Sequence, residues 1–410
     1  MKTLLLNSTQ TFSAAARTDG FLESDHSYAW TFSDGSTGIG KDVSKALSVA
    51  GPITANVLAT NNLTNGTAEA TQTYVVSEPK WNSMDAVIPE LMMYPISETL
   101  ADGRVLIFGG GNHVTPSSLS YVFDGYEFTP TGAINHARSG FYSGPFSVLL
   151  NDGRVMVVGS VVTSLGGGIT AEAYNPATNS WDLLANPPVA YGIGAALLKL
   201  SNGKVFVSDK GSTYRSSIYD PDTDTWQTCA VQPWQGTRSF QIDDDNIFVF
   251  SPGCSQGMVY TLSTDTWVSG VDTGVLFASG HGLRMVKIGD NVYMDNGSNF
   301  HRFNLRTKAY QTLGSASPYG FLNTDFSTIG DNYILVTGLM VNLKTYGSFI
   351  YEISTDSVYG FYPFDYPGGL GEVGATANTV KLNGYPLFCT TAGSSVPYVK
   401  PQLFSVGSLG

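Results

Sequence analysis

The sequence predicts an all-β protein with two domains, a small one at the N-terminus and a large one built from repeats. Short runs of alternating apolar and polar residues, typical of β-strands, occur throughout, while long amphipathic helical patterns are few. Pairs of aromatic residues seven positions apart return every 41 to 53 residues. A two-residue turn signal followed by a short apolar run returns in step with these pairs. Together the three patterns indicate one structural unit copied many times.

The aromatic pairs mark the third and fourth strands of each repeat. The clear pairs are Tyr121/Phe128, Tyr174/Trp181, Tyr219/Trp226, Tyr260/Trp267 and Phe303/Tyr310. Tyr74/Trp81 has the same offset near the N-terminus, and Tyr351/Val358 is a weaker copy near the C-terminus. A period of roughly 40–50 residues is typical of a β-propeller, in which each blade is one four-stranded sheet.

The turn signals mark the hairpin between the first and second strands of each repeat. They are Asp102-Gly103, Asp152-Gly153, Asn202-Gly203, Asp245-Asn246, Gly289-Asp290, Gly330-Asp331 and Asn383-Gly384. Asn-Gly and Asp-Gly fit the left-handed dihedral angles of a two-residue hairpin, so each signal joins two neighbouring strands. The number of hairpins therefore predicts seven blades.

The last repeat supplies only three strands, the third of them at Gln402-Leu-Phe404. Its missing outer strand is predicted to be the one that carries Trp81, which comes before the first complete blade. N- and C-terminal strands then share a blade and close the propeller without a free sheet edge. Tyr74 would in that case belong to the preceding domain despite its matching offset.

The repeat resembles the kelch repeat, which carries a glycine pair at the end of the second strand, a Tyr on the third and a Trp on the fourth. The clearest unit runs from His136-Ala-Arg138 to Tyr174 and Trp181, and the glycine pair is intact at Gly109-Gly110. The resemblance covers about residues 79–410. It implies a seven-bladed kelch-like β-propeller domain over residues 78–410.

Residues 1–77 are predicted to form a separate immunoglobulin-like sandwich. Alternating runs at 28–35, 51–61 and 70–76 predict three of its strands. They resemble the PKD-type domain, with its Trp-x-Phe-Gly-Asp-Gly motif followed by Gly-x-Tyr-x-Val-x-Leu-x-x-x-Asn. The matching positions are Trp30, Phe32, Asp34, Gly35, Gly51, Val57 and Asn61. The sequence departs from the motif at Ser33, Ile53 and Ala55.

Charge and composition exclude several classes of function. The 33 acidic and 21 basic residues give a net charge of −12, which opposes binding to nucleic acid or to anionic lipid. No stretch approaches the roughly 18 apolar residues of a membrane span. The apolar run Leu4–Leu6 is too short for a secretion signal, so we expect a protein made in the cytosol without an export signal. The three cysteines have no metal-ligand spacing.

Candidate catalytic and metal-binding patterns are weak. Asp220-x-Asp222-x-Asp224 resembles the start of a calcium loop but lacks its Gly and distant Glu, so turn-stabilising Asp residues are favoured. Asp243-Asp244-Asp245 is interpreted as a solvated hairpin tip. The histidines, at positions 26, 113, 136, 281 and 301, are scattered singly. Galactose oxidase, a copper enzyme among kelch propellers, would need two His and two Tyr ligands, and no such set is evident.

Hydrolase chemistry is also disfavoured. Gly253-Cys-Ser255-Gln-Gly257 matches the nucleophile-elbow pattern, but Met258-Val-Tyr260 predicts a strand where the elbow requires a helix. A pair of acids on different blades could cleave glycosides. The possible contributors are Asp290, Asp295, Asp325, Asp331 and Glu372. Each is more simply a turn residue, so the sequence predicts no catalytic residue, no cofactor and no metal.

Two functions are compatible with this organisation. The first is a non-catalytic structural protein of a virus particle, a bacteriophage head decoration or tail component assembled in the host cytoplasm. Its N-terminal domain would bind other virion proteins, and its propeller would bind a host-surface glycan or protein through loops such as 109–118, 161–169 and 361–369. The alternative is an extracellular bacterial kelch protein that binds or modifies carbohydrate.

Overall fold

A computed structural model shows an all-β chain. It describes residues 2–5, 9–15, 22–77, 79–84, 86, 92, 95–110, 116–138, 147–160, 169–188, 195–209, 214–236, 238–251, 253–274, 285–295, 299–313, 321–329, 332–340, 345–363, 378–382, 385–389 and 402–406. Over these ranges the only helical element is a 3₁₀ turn at Glu23–Asp25. The chain divides into two compact units, Met1–Asn82 with Phe404–Gly410, and Ser83–Leu403. The first boundary falls after residue 82, where the sequence predicts it after residue 77.

The N-terminal unit contains two sheets. A five-stranded sheet has the order β1-β7-β6-β3-β4, and β2 pairs with β5 in a second sheet. The strands are β1 (Lys2–Leu5), β2 (Thr9–Ser13), β3 (His26–Phe32), β4 (Thr37–Ile39), β5 (Asp42–Ala46), β6 (Gly51–Asn61) and β7 (Thr67–Ser77). The three predicted strands are present, and Tyr74 lies in β7. The immunoglobulin-like, PKD-type assignment of this unit stays a prediction.

The matched motif residues of this unit have clear structural roles. Trp30 and Phe32 are buried in one apolar cluster, with alternate residues of β3 on the same face. Asp34 accepts hydrogen bonds from Lys45 and Ser36, which lower the pKa of its carboxyl to about 2. Gly35 has a φ of +85°, which glycine adopts without strain.

Two further motif residues lie at the ends of β6. Gly51 has a φ of +126° at its start. At its end, the Asn61 Oδ1 atom accepts hydrogen bonds from the backbone N–H groups of Leu63 and Thr64. Asn61 therefore stops the strand by offering the backbone a turn in place of further pairing.

The rest of the described chain forms seven four-stranded sheets. In the first six, four consecutive strands pair in chain order, each antiparallel to its neighbour. In the seventh, β8 follows β35 in the order β33-β34-β35-β8. The strand that carries Trp81 thus lies beside a C-terminal strand, as predicted.

The strands of the first three sheets are short. They are β9 (Ile96–Thr99), β10 (Val105–Phe108), β11 (Ser120–Phe123) and β12 (Phe128–Pro130) in the first sheet; β13 (Ser147–Leu149), β14 (Val155–Ser160), β15 (Ile169–Asn175) and β16 (Ser180–Leu183) in the second; and β17 (Ala195–Lys199), β18 (Val205–Asp209), β19 (Ser216–Asp220) and β20 (Thr225–Thr228) in the third.

The remaining four sheets have the same plan. They comprise β21 (Arg238–Gln241), β22 (Asn246–Phe250), β23 (Gln256–Thr261) and β24 (Thr266–Asp272); β25 (Met285–Ile288), β26 (Asn291–Asp295), β27 (Phe300–Asn304) and β28 (Tyr310–Leu313); β29 (Phe321–Ile329), β30 (Tyr333–Met340), β31 (Thr345–Glu352) and β32 (Ser357–Pro363); and β33 (Asn378–Leu382), β34 (Tyr385–Cys389), β35 (Gln402–Val406) and β8 (Pro79–Ser83).

The predicted hairpins join first and second strands. In the first sheet, Asp102 Oδ1 accepts a hydrogen bond from the Arg104 N–H group, and Gly103 has a φ of +89°. The second sheet repeats this geometry at Asp152 and Gly153. The turn signals at Gly330-Asp331 and Asn383-Gly384 lie outside the described residues.

Apolar clusters lie between successive sheets. Second strands such as Val105–Phe108 are buried on both faces, which is why they read as unbroken apolar runs. Leu106 and Phe108 pack against the second sheet, while Val105 and Ile107 pack on the opposite side. The first five sheets are therefore layers with apolar clusters on both faces, and the core of this part of the chain is divided among these interfaces.

The aromatic pairs lie opposite one another on the third and fourth strands. Such pairs are Tyr174/Trp181, Tyr219/Trp226, Tyr260/Trp267 and Phe303/Tyr310. Each Tyr of the first three pairs donates a hydrogen bond of 2.6–2.8 Å to the residue five positions later. These acceptors, Asn179, Asp224 and Asp265, all have positive φ angles. The Tyr side chain therefore holds the left-handed turn that reverses the chain.

The first repeat departs from the predicted pairing. Phe128 lies opposite Phe123, and the two rings stack with centroids 4.4 Å apart. Tyr121 lies one pleat earlier, opposite Pro130. The turn contains four residues, as in the second, third and fourth sheets, and the residues paired at an offset of seven are Val122 and Thr129. The seven-residue offset therefore selected the wrong aromatic. The Trp81 side chain lies outside what the structure describes.

Candidate binding face

The order of the strands gives every sheet of the repeat domain two unlike ends. Hairpins between strands one and two, and between strands three and four, lie at one end and contain two to five residues. Connections between strands two and three, and from one sheet to the next, lie at the other end and contain four to sixteen. We call these ends the turn face and the loop face. Because longer connections tolerate variation, the loop face is the candidate binding surface.

Hydrogen bonds join the outer hairpin of one sheet to the segment that leaves the preceding sheet. Asp224 Oδ1, besides accepting from Tyr219, accepts a 2.8 Å hydrogen bond from the Ala185 N–H group in the segment that leaves the second sheet. The Trp226 Nε1–H group donates to the Ala185 carbonyl oxygen at 2.7 Å. Asp265, Trp267 and Ala230 repeat this arrangement one sheet later. The repeated aromatic and acidic residues therefore join each outer hairpin to the preceding sheet.

The glycine pair lies at the loop face. The Gly110 N–H group donates to the carbonyl oxygen of Arg138, and the Arg138 N–H group donates to that of Ser117. Gly109 has a φ of +70°, and a Cβ atom there would lie 2.8 Å from the Arg138 carbonyl oxygen. Glycine is required because the end of the second strand runs against the segment that enters the next sheet.

A buried ion pair lies beside this contact. Arg138 is 3% exposed and Glu172 is 0% exposed, and the Arg138 Nη2 atom lies 2.8 Å from Glu172 Oε1. Arg138 also donates to the Gly159 carbonyl oxygen and the Thr170 hydroxyl, each at 2.8 Å. Burial lowers the pKa of Arg138, while Glu172 opposes the shift. The guanidinium thus ties together the ends of β14 and β15 and the segment before β13.

The Glu172 carboxylate also holds the backbone of that segment. Its Oε2 atom accepts hydrogen bonds from the backbone N–H and the side-chain amide of Asn135, at 2.8 and 3.0 Å. His136 Nδ1 lies 3.8 Å from Glu172 Oε1 and has no hydrogen-bond partner among the described residues. The buried charged pair adds to the main-chain hydrogen bonds at this point, and nothing in the sequence spacing signals it.

At the loop face of the third sheet, the neutral side chain of Gln232 holds the backbone in place. Gln232 donates from Nε2 to the Asp209 carbonyl oxygen at 3.1 Å, and its N–H group donates to the Tyr214 carbonyl oxygen. Gln232 Oε1 and Trp234 Nε1 are buried atoms without a hydrogen-bond partner in the part of the chain that the structure describes. On the solvent side, Tyr214 is 39% exposed and Val231 is also exposed. These two side chains are available for contact with a ligand.

The aspartate-rich turns are structural. Asp220 accepts from the Asp222 N–H group and pairs with Lys204 at 2.9 Å, which supports the turn-stabilising interpretation. The hairpin tip at 243–245, predicted to be simply solvated, also accepts hydrogen bonds through all three of its aspartates. Asp243 Oδ1 caps the turn backbone, Asp244 accepts from Ser201 of the third sheet, and Asp245 accepts from the Ser263 N–H and hydroxyl groups.

The structure brings no metal-ligand set together: the described residues contain no group of three or more His, Cys, Asp or Glu side chains placed to hold an ion. His301 is buried, hydrogen-bonds Tyr310 at 3.1 Å, and has a pKa lowered by burial. His113 and His281 lie outside the described residues. Cys229 and Cys254 are buried.

Ser255 does not lie in a nucleophile elbow. The strand Gln256–Thr261 follows it directly, as predicted, where the elbow needs a helix. Among the proposed acids, Asp290 forms an exposed ion pair with Arg306 at 2.9 Å. The side chains of Asp295, Asp325, Asp331 and Glu372 lie outside the described residues. In the described part of the chain, no helix is long and apolar enough to cross a membrane.

Comparison with known proteins agrees with the repeat domain. No protein-family model matches the chain. An F-box/kelch-repeat protein of Arabidopsis thaliana is 29% identical over 164 residues, covering 36% of this chain and 44% of that protein. The chain therefore matches less than half the length of this curated relative. Virginiamycin B lyase from Staphylococcus aureus superimposes with a TM-score of 0.55 and 10% identity, over 80% of this chain and 99% of that chain.

At 10% identity the structural likeness concerns the fold alone. Together with the successive four-stranded sheets, it supports a β-propeller-like fold. The Arabidopsis relative supports kelch-type repeats within that fold. The all-β class and the kelch-like propeller predicted from the sequence are confirmed at this level.

Proposed function

We propose that this protein is a non-catalytic binding protein whose propeller presents the loop face to its ligand. The observation that supports this most directly is the contrast between the two faces. Short, hydrogen-bonded hairpins occupy the turn face, while at the loop face buried side chains such as Arg138 and Glu172 hold the strand ends from which long connections start. A rigid scaffold with variable loops at one end suits recognition of a protein or glycan surface.

The proposal includes a closed ring of seven blades. The first strands lie side by side from β9 to β21 and again from β25 to β33, and β33 of the last sheet lies beside β9 of the first. Thr99 Oγ1 donates to the Lys381 carbonyl oxygen and accepts from the Lys381 N–H group, each at 3.0 Å. These bonds join residues of the first and last sheets and support closure by propeller contacts as well as by β8.

Ring closure can be tested by cross-linking. Cysteines introduced at Thr99 and Lys381 should react with a short bis-maleimide in the folded full-length chain and change its mobility on a denaturing gel. The two single-cysteine variants control for the native thiols. Failure of the double variant to cross-link while it remains folded would contradict the closed ring.

We further propose that the ligand is a cell-surface glycan or protein and that the N-terminal unit attaches the propeller to a virus particle. Support comes from the order of the two units and from the resemblance of residues 1–77 to a PKD-type module. An extracellular bacterial protein that binds carbohydrate is the competing proposal. Detection of the chain in purified phage particles by mass spectrometry would favour the first, and detection only in culture medium of uninfected bacteria would favour the second.

Surface binding is tested with matched tyrosine variants of the full chain. Tyr214 lies at the loop face with a φ of +53°, so Tyr214→Asn removes the ring and keeps a residue that tolerates this backbone. Tyr126, 88% exposed in a hairpin of the turn face, provides the control Tyr126→Asn. On a glycan array and on intact bacterial cells, Tyr214→Asn should weaken binding and Tyr126→Asn should not. The reverse result would place the ligand at the turn face.

A further inference from the structure

The five-stranded sheet of the N-terminal unit has two edges of different kinds. At one edge, β4 is a strand of three residues, Thr37–Ile39. At the other edge, β1 runs parallel to β7 and pairs with Tyr74–Ser77. The preceding segment of β7, Thr67–Thr73, pairs with β6 on one side, and no strand in the described part of the chain lies along its other side. We call this segment the free edge.

The free edge lacks the features with which proteins usually protect the edge of a sheet. Protected edges are short, interrupted by proline or a bulge, or marked by charged side chains, above all lysine. The free edge reads Thr-Ala-Glu-Ala-Thr-Gln-Thr, without proline or lysine, and its one charge is Glu69. Its pairing with β6 is continuous and has no register shift. The backbone groups that point away from β6 can therefore accept a further strand.

The inner side of the free edge is uncovered as well. Phe12 of β2 packs on Trp30 and Tyr74, so the second sheet of this unit covers that part of the five-stranded sheet. Ala68 and Ala70 lie on the same face of β7 as Tyr74, because alternate residues of a strand share a face. Both alanines are exposed and line an open cavity of about 670 Å³. Their small side chains leave room for a neighbouring chain beside β7.

We propose that the free edge pairs with the free edge of a second copy of the chain, giving a symmetric dimer with one continuous antiparallel sheet. A two-fold axis at Ala70 places Ala70 opposite Ala70 of the second copy and Thr67 opposite Thr73. Glu69 then lies opposite Thr71, so like charges do not face each other directly. This register uses the whole free edge and ends where β1 begins to pair with β7.

The side chains of the free edge favour a second copy over a different protein. Recognition of a different protein usually depends on large aromatic or charged anchors, and Glu69 is the only such group here. A symmetric ladder needs no anchor, because its backbone hydrogen bonds and its cross-strand threonine pairs supply the contact. The dimer goes beyond the proposed function, and it depends neither on the closed ring nor on binding at the loop face.

Sedimentation equilibrium of the full-length protein over a series of concentrations tests the dimer. The parent should reach twice the mass of one chain. Ala70→Lys places two lysines opposite each other at the axis, so the dissociation constant should rise at least roughly tenfold. Ile39→Lys, at an 88% exposed position on the opposite edge of the same sheet, is the matched control and should dimerise as the parent does. Both positions are exposed, so both variants should fold, which circular dichroism checks.

A cysteine cross-link tests the register. Ala70→Cys should form a disulfide between two chains under mild oxidation, because the two copies of this residue meet at the axis. Gln72→Cys lies opposite Ala68 of the second copy and should cross-link much more slowly, and the parent controls for the native cysteines. Equal rates for Ala70→Cys and Gln72→Cys would refute this register.

Three results of the sedimentation experiment would overturn the dimer. A monomeric parent would mean that the free edge is covered by residues of its own chain or is kept for a different protein. Dimerisation that Ala70→Lys leaves unchanged would place the contact elsewhere on the molecule. Loss of the dimer in Ile39→Lys alone would move the contact to β4.

Discussion

The two ends of the second sheet are stabilised by different kinds of contact. At the turn face, Asp152 pairs with Arg154 two residues away, and both side chains are partly exposed. At the loop face, Glu172 pairs with Arg138 from a different segment, and both side chains are buried. A carboxylate–arginine pair is therefore a contact within one turn at the turn face, whereas at the loop face it joins two distant segments of the chain. Burial, more than the identity of the residues, decides how much each pair contributes to stability.

Removal of the buried carboxylate should give the largest effect. Glu172→Gln leaves the Arg138 guanidinium buried without a counter-charge, and we expect the free energy of unfolding to fall by about 3 kcal/mol or more. Urea denaturation followed by tryptophan fluorescence measures this change. The double variant Arg138→Met/Glu172→Met should lose less than the sum of the single changes, because no charge is left unpaired. Additive losses would contradict a coupled pair.

Replacement of Asp224, which joins the third sheet to the second, should give the next effect in size. Asp224→Ala removes the acceptor for the Tyr219 hydroxyl and the Ala185 N–H group, and it places alanine at a positive φ, so we expect a loss of about 1–2 kcal/mol. Asp224→Asn should be nearly neutral, since Asn179 fills this position in the second sheet. Exposed Asp222→Ala is the neighbouring control. Equal losses for Asp222→Ala and Asp224→Ala would show that the shared hydrogen bonds contribute nothing.

The stability of the protein should depend on pH through the carboxyl group of Glu98 in β9. Burial raises the pKa of Glu98 from 4.5 to about 7, so the folded state holds this proton more tightly than the unfolded state. The resulting stability is complete below pH 4.5 and is lost as the pH rises through 7. Glu98→Gln should therefore melt higher, relative to the parent, at pH 8 than at pH 5, by an amount equivalent to about 2 kcal/mol. A pH-independent difference would refute the raised pKa.

The smallest effect is expected at the turn face. Asp152→Asn keeps an acceptor for the Arg154 N–H group and loses only an exposed charge pair, so the change should be about 0.5 kcal/mol or less. Differential scanning fluorimetry of Asp152→Asn beside Glu172→Gln gives the comparison within one sheet. A loss as large as that of Glu172→Gln would mean that burial does not separate the two ends.

The same contrast explains what could be predicted from the sequence. The Asp102-Gly103 turn and the Tyr219/Trp226 spacing depend on residues that are close together in the chain. The turns, the strands and the repeat period could therefore be predicted from the sequence. The first repeat shows the limit of such spacing, because Phe128 pairs with Phe123 and not with Tyr121 although the turn has the usual four residues. Asp224 was recognised as a turn residue, but its bond to Ala185 depends on how two sheets pack.

The loop face was the least predictable part. Arg138 and Glu172 are separated by 34 residues, and no motif pairs them, so only the packed sheets reveal that they meet.

The hydrogen bonds between Thr99 and Lys381 also bear on how the protein is made. They connect residues 282 positions apart, so a ribosome must synthesise most of the chain before the first sheet can meet its last neighbour. Until then one face of the first sheet is exposed and prone to aggregation. Such distant contacts make final assembly slow, because a long loop must be closed before any gain is realised. Newly made chains should therefore depend on chaperones longest at this junction, and mechanical or thermal opening should begin there.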